Sequence, residues 1–227
     1  MPKITAIVSA YYAEPYLSGR IDNLIHQRPR PEIIVVCQEG SKEQEIVEKY
    51  DNVIIITTPD IPTIYKAWNL GIEKAHGEYI TNANADDRLY PGALQKLSEA
   101  LDRNKRCGVA YSNVDIVADV DGEPIGKFEW IEGGVEQLLK GCFLGPMPMW
   151  RKELHSKYGL FDESYHVAGD YEFWLRIASR GIKFYHIKES LGVYARRERG
   201  AELREPLRTT WETARAKSKY RSWESCQ

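Results

Sequence analysis

An α/β domain with a mostly parallel central sheet covered by helices on both faces is predicted by three observations. Short apolar, largely β-branched runs recur at residues 4–9, 33–37, 53–57 and 78–81. Amphipathic stretches of helical period separate them, and such alternation builds a parallel sheet. The runs are continuous rather than alternating, which marks strands buried on both faces.

The elements follow in order. Residues 4–9 read as the first strand, and 16–27 as a helix with Leu17, Ile21, Leu24 and Ile25 on one face. The run IIVVC is the second strand, ended by the turn-forming Glu39-Gly40-Ser41. A helix over 43–50, a strand over 53–57 and a helix over 63–75, closed by Gly77, lead to the strand at 78–81. The next helix opens at Pro91, whose missing N–H would have no partner in a first turn, and runs to Arg103. Beyond it come a strand over 108–117, a hairpin turning at Asp121-Gly122 and a short helix over 132–141. Residues 145–169 are rich in loop-forming and aromatic residues. Residues 170–180 form a helix with Phe173, Trp174, Ile177 and Ala178 on one face, stopped by Gly181 before a last strand over 182–187. With no repeat or linker, the reading is one domain over 1–199 and a helical tail over 200–227.

Bulk properties narrow the function classes. The 227 residues suffice for a substantial core, and 43% hydrophobic with 28% charged residues is ordinary for a globular protein. A net charge of −2 argues against a general nucleic-acid binder. Cys37, Cys107, Cys142 and Cys226 form no C-x-x-C pair, which points to a reducing compartment and no metal cluster. No apolar run approaches the roughly 18 residues of a membrane span, and MPKITAIVSA lacks a signal-peptide stretch. The expectation is a cytoplasmic protein.

In open parallel sheets ligands bind at the carboxyl ends of the strands, so residues after Ser9, Cys37 and Thr81 hold the chemistry. The run NANADDRLYPG places Asp86 and Asp87 there, too early to cap the helix at Pro91. An Asp-Asp pair is often only a solvated turn. At a strand's carboxyl end it also suits Mg²⁺ or Mn²⁺, which takes one or two carboxylates and completes its shell with water and phosphates. Neither G-x-x-x-x-G-K-[ST] nor a G-x-G-x-x-G after the first strand occurs, so a P-loop or standard dinucleotide site is unsupported. Gln38-Glu39-Gly40-Ser41 is a β-turn whose carboxylate could accept from a base or ribose. Asp170, in AGDYEFWLR, stands where a helix N-cap would, with Glu172 and Arg176 as an ordinary i,i+4 surface pair.

Taken together, ITAIVSAYYAEPYL, IIVVCQEGS, AWNLGIEKAHGEYITNANADD and GLFDESYHVAGDYEFWLRIASRGIKF resemble, in order and spacing, the family 2 glycosyltransferases of GT-A fold. The likeness extends from about Ile4 to about Tyr194. It implies a GT-A-type three-layer α/β/α sandwich, with a nucleotide-sugar-binding half over 1–90 and an acceptor and catalytic-base half over 91–199. It implies an inverting hexosyl transfer from a UDP-, GDP- or dTDP-sugar to a carbohydrate or lipid-linked acceptor, in polysaccharide or glycoconjugate synthesis. By the same resemblance Ser9, Tyr11 and Glu39 contact the nucleoside and Asp86 lies near ribose and metal. Asp87 is the main protein ligand of Mn²⁺ or Mg²⁺, and Asp170 is the general base. Departures from the family pattern fall at Gln38 and Asn84, where acidic residues are common, and at Trp68, where an Arg often precedes the Asn. Lys66 or Arg88 would then supply phosphate charge. At Tyr194-Ala195-Arg196-Arg197 the family's late His is missing.

The five histidines show no metal-ligand spacing and read as packed or surface residues, His155 or His166 lining the acceptor site being the alternative. Trp150 and Trp174 read as core. The tail over 205–223 puts Leu207, Trp211 and Ala214 on one face, expected to dock on the domain, with a peripheral membrane contact as the alternative. Two other functions compete: a non-catalytic sugar-nucleotide-binding or scaffolding relative of the same fold, and a nucleotidyltransferase. The second would need a Gly-rich, Arg-containing loop where SAYYAEPYL has no glycine.

Overall fold

The computed structural model describes residues 2–61, 63–120, 122–196 and 205–220; Asp121, Arg197, Trp223 and Cys226 lie outside them. The chain runs β1 (Ile4–Ala10), α1 (Glu14–Ile25), β2 (Glu32–Gln38), α2 (Lys42–Val47), β3 (Ile54–Thr58), α3 (Ile64–Lys74) and β4 (Tyr79–Asn82). Next come β5 (Arg88–Leu89), α4 (Ala93–Arg103), β6 (Cys107–Val117), β7 (Pro124–Phe128), α5 (Val135–Lys140) and β8 (Met149–Arg151). The last elements are α6 (Glu153–Tyr158), α7 (Gly169–Ala178), β9 (Lys183–Ala195) and α8 (Pro206–Tyr220).

One sheet has the strand order β3-β2-β1-β4-β8-β6-β9-β5, with β7 on β6. The first half is parallel as expected: β1 pairs with β2 and β4, and β2 with β3. The second half is mixed. β8 runs antiparallel to both β4 and β6, β5 antiparallel to β9, and β6 parallel to β9. Three-residue β8 enters between β4 and β6 from a proline-bearing loop and needs no crossover helix, so its direction is not tied to a β-α unit.

Strand alternation divides the core between the two faces. Ile4, Ala6, Val8, Ile33 and Val35 pack with Leu17, Ile21 and Leu24 of α1 and Leu94, Leu97 and Leu101 of α4. Ile7, Ile34 and Val36 pack on the other face with Trp68 and Ile72 of α3 and Phe173 and Trp174 of α7. Trp150 and Trp174 are buried among these, as expected.

Some boundaries shift. The helix expected at Pro91 begins at Ala93, because Gly92 turns left-handed (φ +79°) and β5 intervenes. β9 continues past residue 187 to Ala195. The tail helix docks on α7, but by the opposite face from the one expected. Glu212 and Ala216 are buried, whereas Leu207 and Trp211 are 87% and 61% exposed. Cys37 is buried, which pushes its thiol up to about 11, and Cys37, Cys107 and Cys142 are unbridged. No helix among the described residues is long and apolar enough to cross a membrane.

Candidate functional site

Because β2, β1 and β4 are parallel neighbours, their carboxyl ends open on one edge. Ser9 lies half-buried near the end of β1, level with Val36 of β2. Tyr11 and Tyr12 follow it, 48% and 78% exposed with ring centroids 4.4 Å apart. Tyr12 takes a left-handed φ of 53°, uncommon for a bulky residue, and this bends the chain sharply from strand to helix. Glu39 is exposed just past β2, and its N–H donates to Thr58 O at 3.0 Å. The turn needs Gly40 at φ +70°, and Ser41 caps α2 by accepting from Gln44 N. Gln38, the position often acidic in the resembled family, donates its amide to Pro59 O at 3.1 Å and so holds the end of β3.

Beyond β4 the two carboxylates part. Asp86 is half-buried, Asp87 1% exposed. Asp87 turns inward: its Oδ2 accepts from Asn84 Nδ2 at 3.0 Å and its Oδ1 from Ala195 N at 3.2 Å. Burial, then the Asp86 charge, pushes its carboxyl up to about 7. Behind it lies Arg20 of α1, fully buried, donating Nη1 to Asn23 Oδ1 at 3.1 Å while Nε and Nη2 have no hydrogen-bond partner among the described residues. Burial lowers Arg20 to about 10, and the charges of Asp87 and Asp86 oppose that. Arg88 donates to the carbonyls of Ala85, Asp87 and Tyr16, fastening the acidic loop to α1.

Asp170 reaches the same edge from α7. It is the second residue of that helix rather than its N-cap, which is Ala168. The Tyr65 hydroxyl lies 3.1 Å from Asp170 Oδ1 and 2.7 Å from Val167 O, and donates to both. Tyr65 stands in the first turn of α3, just after β3, so it links the base candidate to the parallel half of the sheet. Burial, then the Asp170 charge, raises Tyr65 well above its ordinary value and keeps it a donor. The contact requires Gly169, where a Cβ would sit 2.7 Å from the Tyr65 ring. Glu172 and Arg176 do pair, at 2.5 Å, yet Glu172 is buried, so the pair is not the surface one expected.

The edge therefore brings together Ser9, Tyr11, Glu39, Asp86 and Asp170, while Asp87 faces inward beneath them. No group of three or more His, Cys, Asp or Glu suited to a metal exists among the described residues. Asp86 and Asp87 are the carboxylates expected to hold a cation, Asp86 being the more accessible, and one or two carboxylates with no nitrogen or sulfur donor suit Mg²⁺ or Mn²⁺. Lys66 pairs with Asp60 at 3.3 Å. His155 is a packed residue, held between Trp150 Nε1 at 2.8 Å and Gly159 O at 3.2 Å.

Four supporting residues escape sequence reasoning. Tyr65 is one. Glu43 is buried and accepts from Ala13 N at 2.8 Å, bracing the Tyr11-Tyr12 loop. Arg20 left a readable signal, as a charge three residues after Leu17 on the apolar face of α1. Glu212, in a polar helix, left none.

The family model described as glycosyl transferase family 2 matches residues 5–158. An uncharacterized glycosyltransferase of Haemophilus influenzae is 25% identical over 199 residues, which cover 79% of this chain and 61% of that protein. Among solved structures, S. aureus TarS 1-349 in complex with UDP-GlcNAc superposes with a TM-score of 0.73 at 20% identity, covering 89% of this chain and 60% of its own. A mannosyltransferase from Pyrobaculum calidifontis in complex with GDP-Man and Mn²⁺ gives a TM-score of 0.67 at 18% identity, covering 92% and 61%. The chain thus spans about three fifths of the length of each of these proteins.

Proposed function

The chain belongs to glycosyl transferase family 2, and from that premise we propose that it moves a sugar from a nucleoside-diphosphate sugar to an acceptor hydroxyl with inversion. One observation carries the reading. A single sheet edge gathers an exposed aromatic pair, two accessible carboxylates and a third carboxylate held by a tyrosine from the facing half. The nucleotide-sugar complexes of the similar structures support the donor class.

In this reading Tyr11 lies against the base, Ser9 and Glu39 hydrogen-bond the nucleoside, and Asp86 faces the diphosphate. Asp86 would hold a divalent cation, which when bound would neutralise the charge growing on the departing diphosphate. Asp87, expected as the main ligand, is instead assigned to support: its burial and two hydrogen bonds fix the loop that presents Asp86. Asp170 takes the acceptor hydroxyl's proton on a carboxylate oxygen, with Tyr65 fixing its orientation. A base on the far side of the sugar from the diphosphate gives a single displacement and inversion. The acceptor is a carbohydrate or lipid-linked hydroxyl.

Calorimetric titration with UDP, GDP and dTDP, with and without Mn²⁺, tests the donor site. One nucleotide is expected to bind in a metal-dependent manner, and Asp86→Ala to abolish that binding. Asp170→Asn should bind the same nucleotide and lose about 10²–10⁴-fold in turnover. A chain that binds no nucleotide under any of these conditions would sink the reading.

A further inference from the structure

We propose that Glu212, on the C-terminal helix α8, is a positioning residue that holds the backbone leading into Asp170 in its working conformation. The proposal rests on the reading of Asp170 as the base. It concerns residues beyond the matched segment 5–158.

Glu212 is 1% exposed, and a carboxyl group is buried at such cost only where donors converge on it. Three consecutive backbone N–H groups do. Val167 N donates to Oε2 at 2.8 Å and Ala168 N at 2.9 Å, while His166 N reaches both oxygens at 2.9 and 3.1 Å. Successive amides turned inward form a cradle for an anion, and here a side chain 44 residues away occupies it. On the other side of the same segment, Tyr65 donates to Val167 O and Asp170 Oδ1. The segment 166–170 is thus gripped by its N–H groups from α8 and by its carbonyl and carboxylate from α3.

Most of the other contacts of α8 flank the same stretch, Lys217, which donates to Lys140 O at 3.0 Å, being an exception. Arg215 lies 4.3 Å over the Tyr165 ring and donates to Ser164 Oγ at 2.8 Å. Lys219 donates to Asp162 at 3.1 Å, and Tyr220 to Glu172 at 2.7 Å. Meanwhile α8 leaves Leu207 and Trp211 in solvent. A helix serving only to bury area would dock its apolar stripe. This one docks through directional bonds, which specify one loop conformation rather than mere proximity.

The test uses the full chain, Glu212→Ala, Glu212→Gln and Asp170→Asn. Turnover is read as nucleoside diphosphate released by hydrolysis of UDP-, GDP- and dTDP-sugars with Mn²⁺, water taking the place of the acceptor hydroxyl, alongside nucleotide affinity and amide hydrogen exchange. Misplacing a reacting group by about 1 Å can cost about 10²-fold. Glu212→Ala is expected to lose about 10²-fold in kcat with donor KM and nucleotide affinity unchanged, and to exchange the 166–168 amides at least about tenfold faster. Glu212→Gln, which keeps an acceptor oxygen but not the charge, should retain about a tenth of the rate, and serves if the alanine variant does not fold. A full kcat in the folded Glu212 variants beside an inactive Asp170→Asn overturns the positioning role alone. So does a loss of nucleotide affinity in step with turnover, which would mean general unfolding. A full rate in Asp170→Asn, or no release from any donor by the natural chain, overturns the reading beneath it.

Discussion

Acidification from pH 7 to pH 4 is expected to destabilise the fold through His155, by an amount the local geometry sets. Trp150 Nε1–H donates to His155 Nε2, so that nitrogen carries no proton, and Nδ1–H faces Gly159 O. The ring is 8% exposed and stacks on Phe173 at 4.7 Å. Burial dominates and lowers its pKa from 6.5 to about 4, and the nearby Arg176 and Lys152 charges push the same way. A folded pKa below the unfolded one means that the unfolded chain binds the proton first. The stability is therefore fully present above about pH 6.5 and falls as pH drops toward 4. With those two pKa values the loss is about 2 kcal/mol at pH 5 and about 3 kcal/mol at pH 4. Urea unfolding of the natural chain and of His155→Gln, which keeps an acceptor for Trp150, isolates this share from the carboxylates. The natural chain should lose about 2 kcal/mol more than the variant between pH 7 and pH 5. Equal slopes in the two proteins would refute the assignment of a neutral, hydrogen-bonded His155.

Three further outcomes follow from contacts already described. Asp87→Ala should lower stability by about 3 kcal/mol in denaturant titration, because Arg20 stays buried with its principal counter-charge gone. Tyr65→Phe removes the hydroxyl shared by Val167 and Asp170, and should cut turnover about tenfold while metal-dependent nucleotide binding stays within about twofold. Leu207→Ser and Trp211→Ser, on the solvent side of α8, should each change stability by less than about 1 kcal/mol, whereas Ala216→Arg, on its buried side, should undock the helix and lower Tm by several degrees.

The parallel half of the fold was readable because β1, β2 and β3 are each followed directly by a helix, so those inferences needed only neighbouring residues. That also located the strand ends bearing Ser9, Glu39 and Asp86. The second half resists the same approach. β5 and β8 have two and three residues, too few to show a period, and Lys188-Glu189-Ser190 interrupt the apolar pattern of β9. The burial of Asp87 beside a more accessible Asp86 goes with Arg20 and the backbone of Ala195, partners that no local pattern announces. Asp170 was placed in the right helix but at its N-cap rather than two positions further on, since Ala168 offers no capping side chain to mark the start. The docking face of α8 was misread because apolar periodicity finds a stripe, and here a buried carboxylate chose the opposite one.

The bond from Ala195 N to Asp87 Oδ1 joins groups 108 positions apart in the chain. During synthesis the four parallel strands β1–β4 and the acidic loop emerge well before the strand that supplies this donor. At ordinary ribosomal speeds the interval is roughly 5–20 s. Throughout it, the nascent chain would hold an unclosed acidic loop above an already forming sheet. Completion of the acidic loop is therefore a late event, bound to the delivery of β9, and a chain stalled before residue 195 would carry the Asp86-Asp87 run without its final shape.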